Sequence, residues 1–287
     1  MTLQQSILLA IQVSIMLTVF GFGLQARLED VLEVVQRPAR LARSFLAMFI
    51  LMPVLAVLLA RVFELRPEVE IALVVLSLSP LPPLLPKKQD KAGGRASFGL
   101  GLLVTMALLS IAWLPLAAHL VGLVFDRSFT VAPAVIAKIV FKIIVLPLLA
   151  GIVFRLLMPR RAERLAQPAG LLGRWLLPAV GLLIVYLSRR ELLALLGNGT
   201  LVVMVGFVAA GLAIGHRLGG PDPDDRTVLA LSTACRHPGI ALAAAAANYP
   251  DDPHVASAIL LYLLLNLLVC LPYVQWRRRR RVEPMPG

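Results

Sequence analysis

Apolar runs of about 20 residues, each closed by a short polar stretch, repeat along nearly the whole chain. A helix that spans a bilayer needs about 20 mostly apolar residues. Nine segments qualify, near 5–24, 44–63, 70–86, 98–124, 131–157, 171–188, 199–216, 227–248 and 254–275. The polar stretches between them are short loops with no room for a separate soluble domain. The pattern predicts an all-α polytopic membrane protein, a single transmembrane domain over 1–287 ending in a basic tail at 276–287.

Composition supports that class. The 287 residues are 59% apolar and 15% charged, with mean hydropathy +0.85. A soluble domain averages about 45–50% apolar and about 25% charged. The N-terminal run lacks a basic segment ahead of it and is long enough to span, so it reads as a first helix rather than a cleaved signal. Cys235 and Cys270 are too few for a disulfide framework or a zinc site and fall in apolar stretches.

The net charge of +12 is a matter of topology. With nine spans, and cations near a span end counted with the adjoining loop, 20 of the 28 Lys and Arg fall on one side, 5 on the other and 3 deep inside spans. The positive-inside rule then puts the N-terminus outside and the C-terminus in the cytoplasm, in a bacterial inner (plasma) membrane. The run Arg277 to Arg281 reads as an anchor beside the last span, and nucleic acid is not an expected partner.

Two spans are interrupted. Residues 77–97, SLSPLPPLLPKKQDKAGGRAS, carry Pro80, Pro82, Pro83 and Pro86, then Lys87, Gln89 and Asp90. Four prolines cannot sit in one continuous helix. Residues 232–250 carry Pro238 and Gly239 just after Arg236 and His237. The interruptions occupy the penultimate span of each half of the chain, the arrangement that points to a transporter binding site. The candidate substrate-binding positions are 78 (Leu78, within the serine-rich triplet Ser77 to Ser79), Pro80, Pro82, Pro83, Lys87, Gln89, Ser232, Thr233, Arg236, His237, Pro238 and Gly239.

Arg236 lies roughly 14 Å into its span at about 1.5 Å per residue. An arginine at that depth costs at least about 2.5–3.5 kcal/mol on insertion scales, so it must face a cavity, a partner or an anion. Bonding to carbonyls freed at the break is the structural alternative. Lys138 and Lys142 share a helix face that turns inward more readily than to lipid. Nearly all Asp and Glu sit in loops or at span ends, so the core holds fixed positive charge and favours an anionic substrate.

At these residues the chain resembles the bile acid:sodium symporter family. The resemblance runs through IMLTVFGFGL (15–24), ALVVLSLSP, KIVFKIIVLPLLAGIVFR (138–155) and VLALSTACRHPGIALAAA (228–245). It implies two inverted repeats, about 5–124 and about 131–275, with two broken helices that cross, and the family's first helix missing. It also implies a sodium ion as the candidate cofactor, with Thr105, Ser110 and Ser232 as candidate ion ligands. The chain departs from sodium-coupled members where they place Glu, Gln and Asn at the second break, since Ser232, Arg236 and His237 stand there. The first break likewise reads Leu81 to Pro86 in place of a Gly-Gly-Thr-Ala-Ser-Asn type segment. No other cofactor is expected.

The reading is a secondary transporter, not an enzyme, moving a small or amphipathic organic anion by alternating access, with doubtful sodium coupling. A carrier of the auxin efflux type and a non-transporting membrane sensor stay open as alternatives. Ser232, Cys235 and His237 supply the residues for a membrane hydrolase, the least supported rival. Substrate identity, direction and oligomeric state stay open at this level.

Overall fold

Among the described residues five helices open on a proline, whose fixed φ suits the first turn and whose missing N–H is not needed there. In the computed structural model, residues 3–25, 29, 32–125, 132–162, 165, 182, 185–249, 252 and 254–282 are described. Their elements are helices: α1 (Leu3–Gly23), α2 (Pro38–Val62), α3 (Pro67–Leu78), α4 (Leu85–Lys91) and α5 (Ala96–Phe125). There follow α6 (Pro133–Leu157), α7 (Arg189–Ala194), α8 (Thr200–Leu218), α9 (Pro223–Ala234), α10 (Pro238–Asn248) and α11 (His254–Val282). Among the described residues six helical stretches are long and apolar enough to cross a membrane, the interrupted 26-residue stretch Pro223–Asn248 included. Most of the predicted span 171–188 lies outside the described residues.

Proline shapes the long helices. A π-helical turn at Leu46–Leu51 precedes Pro53 in α2, and another at Phe141–Val145 precedes Pro147 in α6. Proline donates no hydrogen bond, and the widened turn absorbs the mismatch one turn back.

The interrupted helices form the centre. Val69 and the run Ile71 to Leu78 of α3 are buried, as is the run Thr227 to Ala234 of α9. A run buried all round needs no apolar stripe, and both of these runs are apolar or small throughout, past the charged first turns of their helices. Helix α8 approaches α9 through Gly211, Gly215 and Gly219, one face of small residues. A Cβ on Gly215 would lie 2.4 Å from the Leu229 carbonyl oxygen, and one on Gly211 would lie 2.9 Å from Ala234 Cα. Without a hydrophobic drive between helices in lipid, such backbone approach supplies the packing. Helices α1 and α6 meet in the same way at Gly23 and Gly151.

The arginine-rich end is tied by ion pairs. Arg40 reaches Asp225 at 3.0 Å and Glu33 at 3.3 Å. Arg95 reaches Asp225 through Nε at 3.1 Å and also pairs with Asp222. This pairing explains why α2 begins at Pro38 rather than at the predicted 44: Arg40 is only 14% exposed and its charge is matched. At the other end of the chain, α11 continues without interruption past the predicted 275. Arg277 Nε donates to Thr227 Oγ1 at 2.6 Å and Nη2 donates to the Pro223 carbonyl at 2.9 Å. The first arginine of the basic run is thus docked on α9.

Candidate functional site

The two interruptions satisfy each other's backbone. Helix α3 stops where Ser79 turns to extended backbone (ψ 147°), ahead of Pro80. Helix α9 stops where Cys235 does the same (ψ 136°), and α10 restarts at Pro238. These ends leave carbonyls and N–H groups without helical partners. The N–H of His237 donates to the Pro80 carbonyl at 2.9 Å and lies 3.1 Å from Ser79 Oγ. Arg236 Nη1 donates to the Ser79 carbonyl at 3.3 Å. His237 caps α10, its Nδ1 accepting from the Ile240 N–H at 3.2 Å. The Ala234 carbonyl accepts from Tyr262 Oη at 2.6 Å and from Asn266 Nδ2 at 2.8 Å, so α11 closes the other side of the second break.

Arg236 is 1% exposed, and it makes one hydrogen bond. Its Nε and Nη2 have no partner among the described residues, nor does Nε2 of His237. The ionisable groups that bear on Arg236 are Tyr262 and Cys235. No Asp or Glu among the described residues pairs with it. A buried guanidinium with unspent donors and no counter-charge has the chemistry to receive an anion.

Helix α4 returns to α9 beside this crossing. Gln89 Nε2 donates to Ser232 Oγ at 2.8 Å and to the Val228 carbonyl at 3.0 Å. The fit is close, since a Cβ on Gly99 of α5 would lie 2.5 Å from Gln89 Oε1.

The sequence candidates therefore separate. Pro80, Arg236, His237 and Pro238 meet at the crossing, with Gly239 in the first turn of α10. Gln89 and Ser232 form a second contact one turn away on α9. Position 78 is the buried apolar Leu78, and the polar work falls to its neighbour Ser79. Pro82 and Pro83 lie in the turn into α4, where the Leu85 N–H bonds the Pro82 carbonyl at 3.0 Å. Thr233 and Ser110 donate to carbonyls of their own helices, at 2.8 Å and 2.6 Å. Thr105 and Lys87 are half-buried, on α5 and α4.

Four further groups at the crossing were not among the candidates: Lys88, Cys235, Tyr262 and Asn266. Lys88 Nζ lies 3.7 Å from Cys235 Sγ. Tyr262 and Asn266 are four apart in an otherwise apolar span, and that shared face was their signal. Lys88 stands three residues after the buried Leu85, but it was hidden in a run of charges.

A helical membrane protein whose broken helices meet around a buried cation has the form of a membrane transporter. The sequence matches the family described as Sodium Bile acid symporter family over residues 12–210, and the chain belongs to that family. The matched stretch includes the first break and ends before the second. The chain is also 26% identical over 208 residues to the P3 protein of Mus musculus, a stretch covering 69% of this chain. It spans 42% of that relative's length.

Proposed function

We propose that the chain is a secondary transporter of a small or amphipathic organic anion, working by alternating access without sodium coupling. The observation that carries this reading is Arg236, buried at the crossing with two nitrogens unpartnered among the described residues. The substrate's anionic group meets Arg236 between the two breaks, and the freed backbone of the breaks lines the path. Nine spans in two inverted repeats, about 5–124 and about 131–275, rock one bundle against the other. The outward N-terminus and inward C-terminus follow from the sorting of Lys and Arg.

The donors present do not suit a sodium ion. The candidate ion ligands Thr105, Ser110 and Ser232 offer only neutral hydroxyl oxygens, and that of Ser232 already accepts from Gln89. No carboxylate pairs with this cluster among the described residues, whereas Arg236 adds a positive charge. A cation about 4 Å from a guanidinium is repelled by roughly 4 kcal/mol at an effective dielectric near 20. Arg236 takes the electrostatic place that a coupling cation would fill.

A thermal-shift screen of organic acids on the purified protein tests the binding part. Stabilisation that disappears in Arg236→Ala supports the reading. Stabilisation that survives the substitution removes Arg236 from the binding site.

A further inference from the structure

We infer that Cys235 and Cys270 are a redox pair that closes reversibly into a disulfide, with Lys88 as the residue that readies Cys235 for attack. Cys235 ends α9 at the second break, in extended backbone, and α11 runs beside it. Tyr262, Asn266 and Cys270 follow one another at four-residue steps on α11, so they form one stripe along the helix. The first two hold the Ala234 carbonyl, and the third brings its thiol to Cys235 one turn further on. Cys235 Sγ lies 3.3 Å from Asn266 Oδ1, and Cys270 Sγ lies 3.8 Å from the same oxygen. The two thiols also interact directly with each other. Lys88 Nζ lies 3.7 Å from Cys235 Sγ and bears on both thiols. Both cysteines are free and buried, and the chain has no others.

An inert buried cysteine has apolar surroundings, whereas these two face an ammonium and a carboxamide. A thiol attacks as the thiolate, and the Lys88 ammonium is placed to pair with that negative charge. Lys88 is half-buried on α4, and Asp90 and Lys91 beyond it are exposed, so its stem joins the cluster to the solvated end of that helix. With hydrogen peroxide as the oxidant, the Cys235 sulfur attacks one peroxide oxygen and the O–O bond breaks. The departing hydroxide takes the thiol proton as water, and Cys235 is left as a sulfenic acid. The Cys270 sulfur then attacks that of Cys235, the S–O bond breaks, and a second water leaves with the Cys270 proton. Each disulfide thus consumes one peroxide and releases two waters. A thiol reductant reopens it by exchange. The closed bond fastens the second break to α11 and withdraws both sulfurs from Lys88.

The test uses the full chain, purified, treated with limiting hydrogen peroxide and then denatured in maleimide. With only two cysteines present, intact mass reads the outcome directly. The native protein is expected to lose the mass of two hydrogens, to accept no maleimide, and to recover both thiols in dithiothreitol. Cys270→Ser is expected to stop at a sulfenic acid on Cys235 that dimedone captures. Lys88→Met is expected to slow the oxidation about tenfold or more, and Lys88→Arg to restore most of the rate. The oxidised native protein is expected to unfold at a higher midpoint than the reduced one, since the bond constrains the unfolded chain. Two maleimides on the peroxide-treated native protein overturn the inference, as does a bridge between two chains on a non-reducing gel. A gain of oxygen on either cysteine of the native protein without the bond also overturns it. An oxidation rate unchanged in Lys88→Met overturns the role of Lys88, and an unchanged or lowered midpoint overturns the fastening of the break. The bond forms or fails to form whatever the chain carries, so this outcome is separate from that of the transport reading.

Discussion

The backbone N–H of His237 donates to the carbonyl of Pro80 at 2.9 Å, joining two helix breaks that lie 157 residues apart across the Arg236–Ser79 bond beside it. Each break exposes backbone that lipid cannot solvate, and each supplies what the other lacks. The crossing is therefore a structural necessity and, in the function proposed above, also the place for a ligand. Its two functions can be separated because only Nη1 of Arg236 is used in the structural contact.

Gln89 and Gly99 provide a test of the α4–α9 contact. A Cβ at position 99 would meet Gln89 Oε1 at 2.5 Å. Gly99→Ala is expected to destabilise the protein by about 1–3 kcal/mol. Gln89→Ala alone is expected to cost about 1–3 kcal/mol, through the lost bonds to Ser232 and Val228. In the double variant the clash disappears, so the two costs fall short of additive. Strict additivity in reversible unfolding would show that the two residues do not touch.

The glycine face of α8 makes a paired prediction. Gly215→Ala places a Cβ 2.4 Å from backbone of α9, which cannot rotate away. It is expected to separate the helices and lower the yield of folded protein sharply. Gly206→Ala, on the same helix with nothing within 4 Å of its Cβ, is expected to be tolerated or slightly stabilising. Monodispersity on size exclusion and the unfolding midpoint check both. Equal behaviour of the two variants would contradict the packing described.

Asp222 gives a pH dependence at the arginine-rich end. Burial raises its pKa, but the Asp224 N–H and the Arg95 guanidinium outweigh that and hold the carboxyl below its ordinary value. A depressed folded-state pKa contributes stability above the ordinary carboxylate value and loses it as pH falls through the folded value. Asp222→Asn keeps the cap on α9 and removes the charge. Native protein and variant are therefore expected to differ in thermal stability at neutral pH and to converge in acid. A difference that persists below the carboxylate range would place its origin elsewhere. The side chain is 35% exposed, so the effect is small and weakens with added salt.

The apolar pattern located the long helices because bilayer length and backbone satisfaction are local demands. The breaks at Pro80 and Pro238 were legible for the same reason, since proline acts on its own helix. Boundaries set by tertiary pairing were not. Arg40 looked like loop until Asp225, far along the chain, was seen to neutralise it. Within the site, Arg236 and His237 could be read from their depth and their neighbours. Lys88 could not, because its half-buried place depends on α4 lying against Cys235. That Ser79 rather than Ser77 meets the second break is equally a tertiary fact, set by where the N–H of His237 arrives.

The central claim is transport of an organic anion that depends on Arg236 and not on sodium. Its most direct test is uptake of labelled organic anions into proteoliposomes carrying the native protein or Arg236→Gln, with sodium or with choline as the external cation. Saturable uptake of equal rate in both cations, lost in the variant, is the result expected. Strict and saturable sodium dependence, or uptake unchanged in Arg236→Gln, would contradict the account.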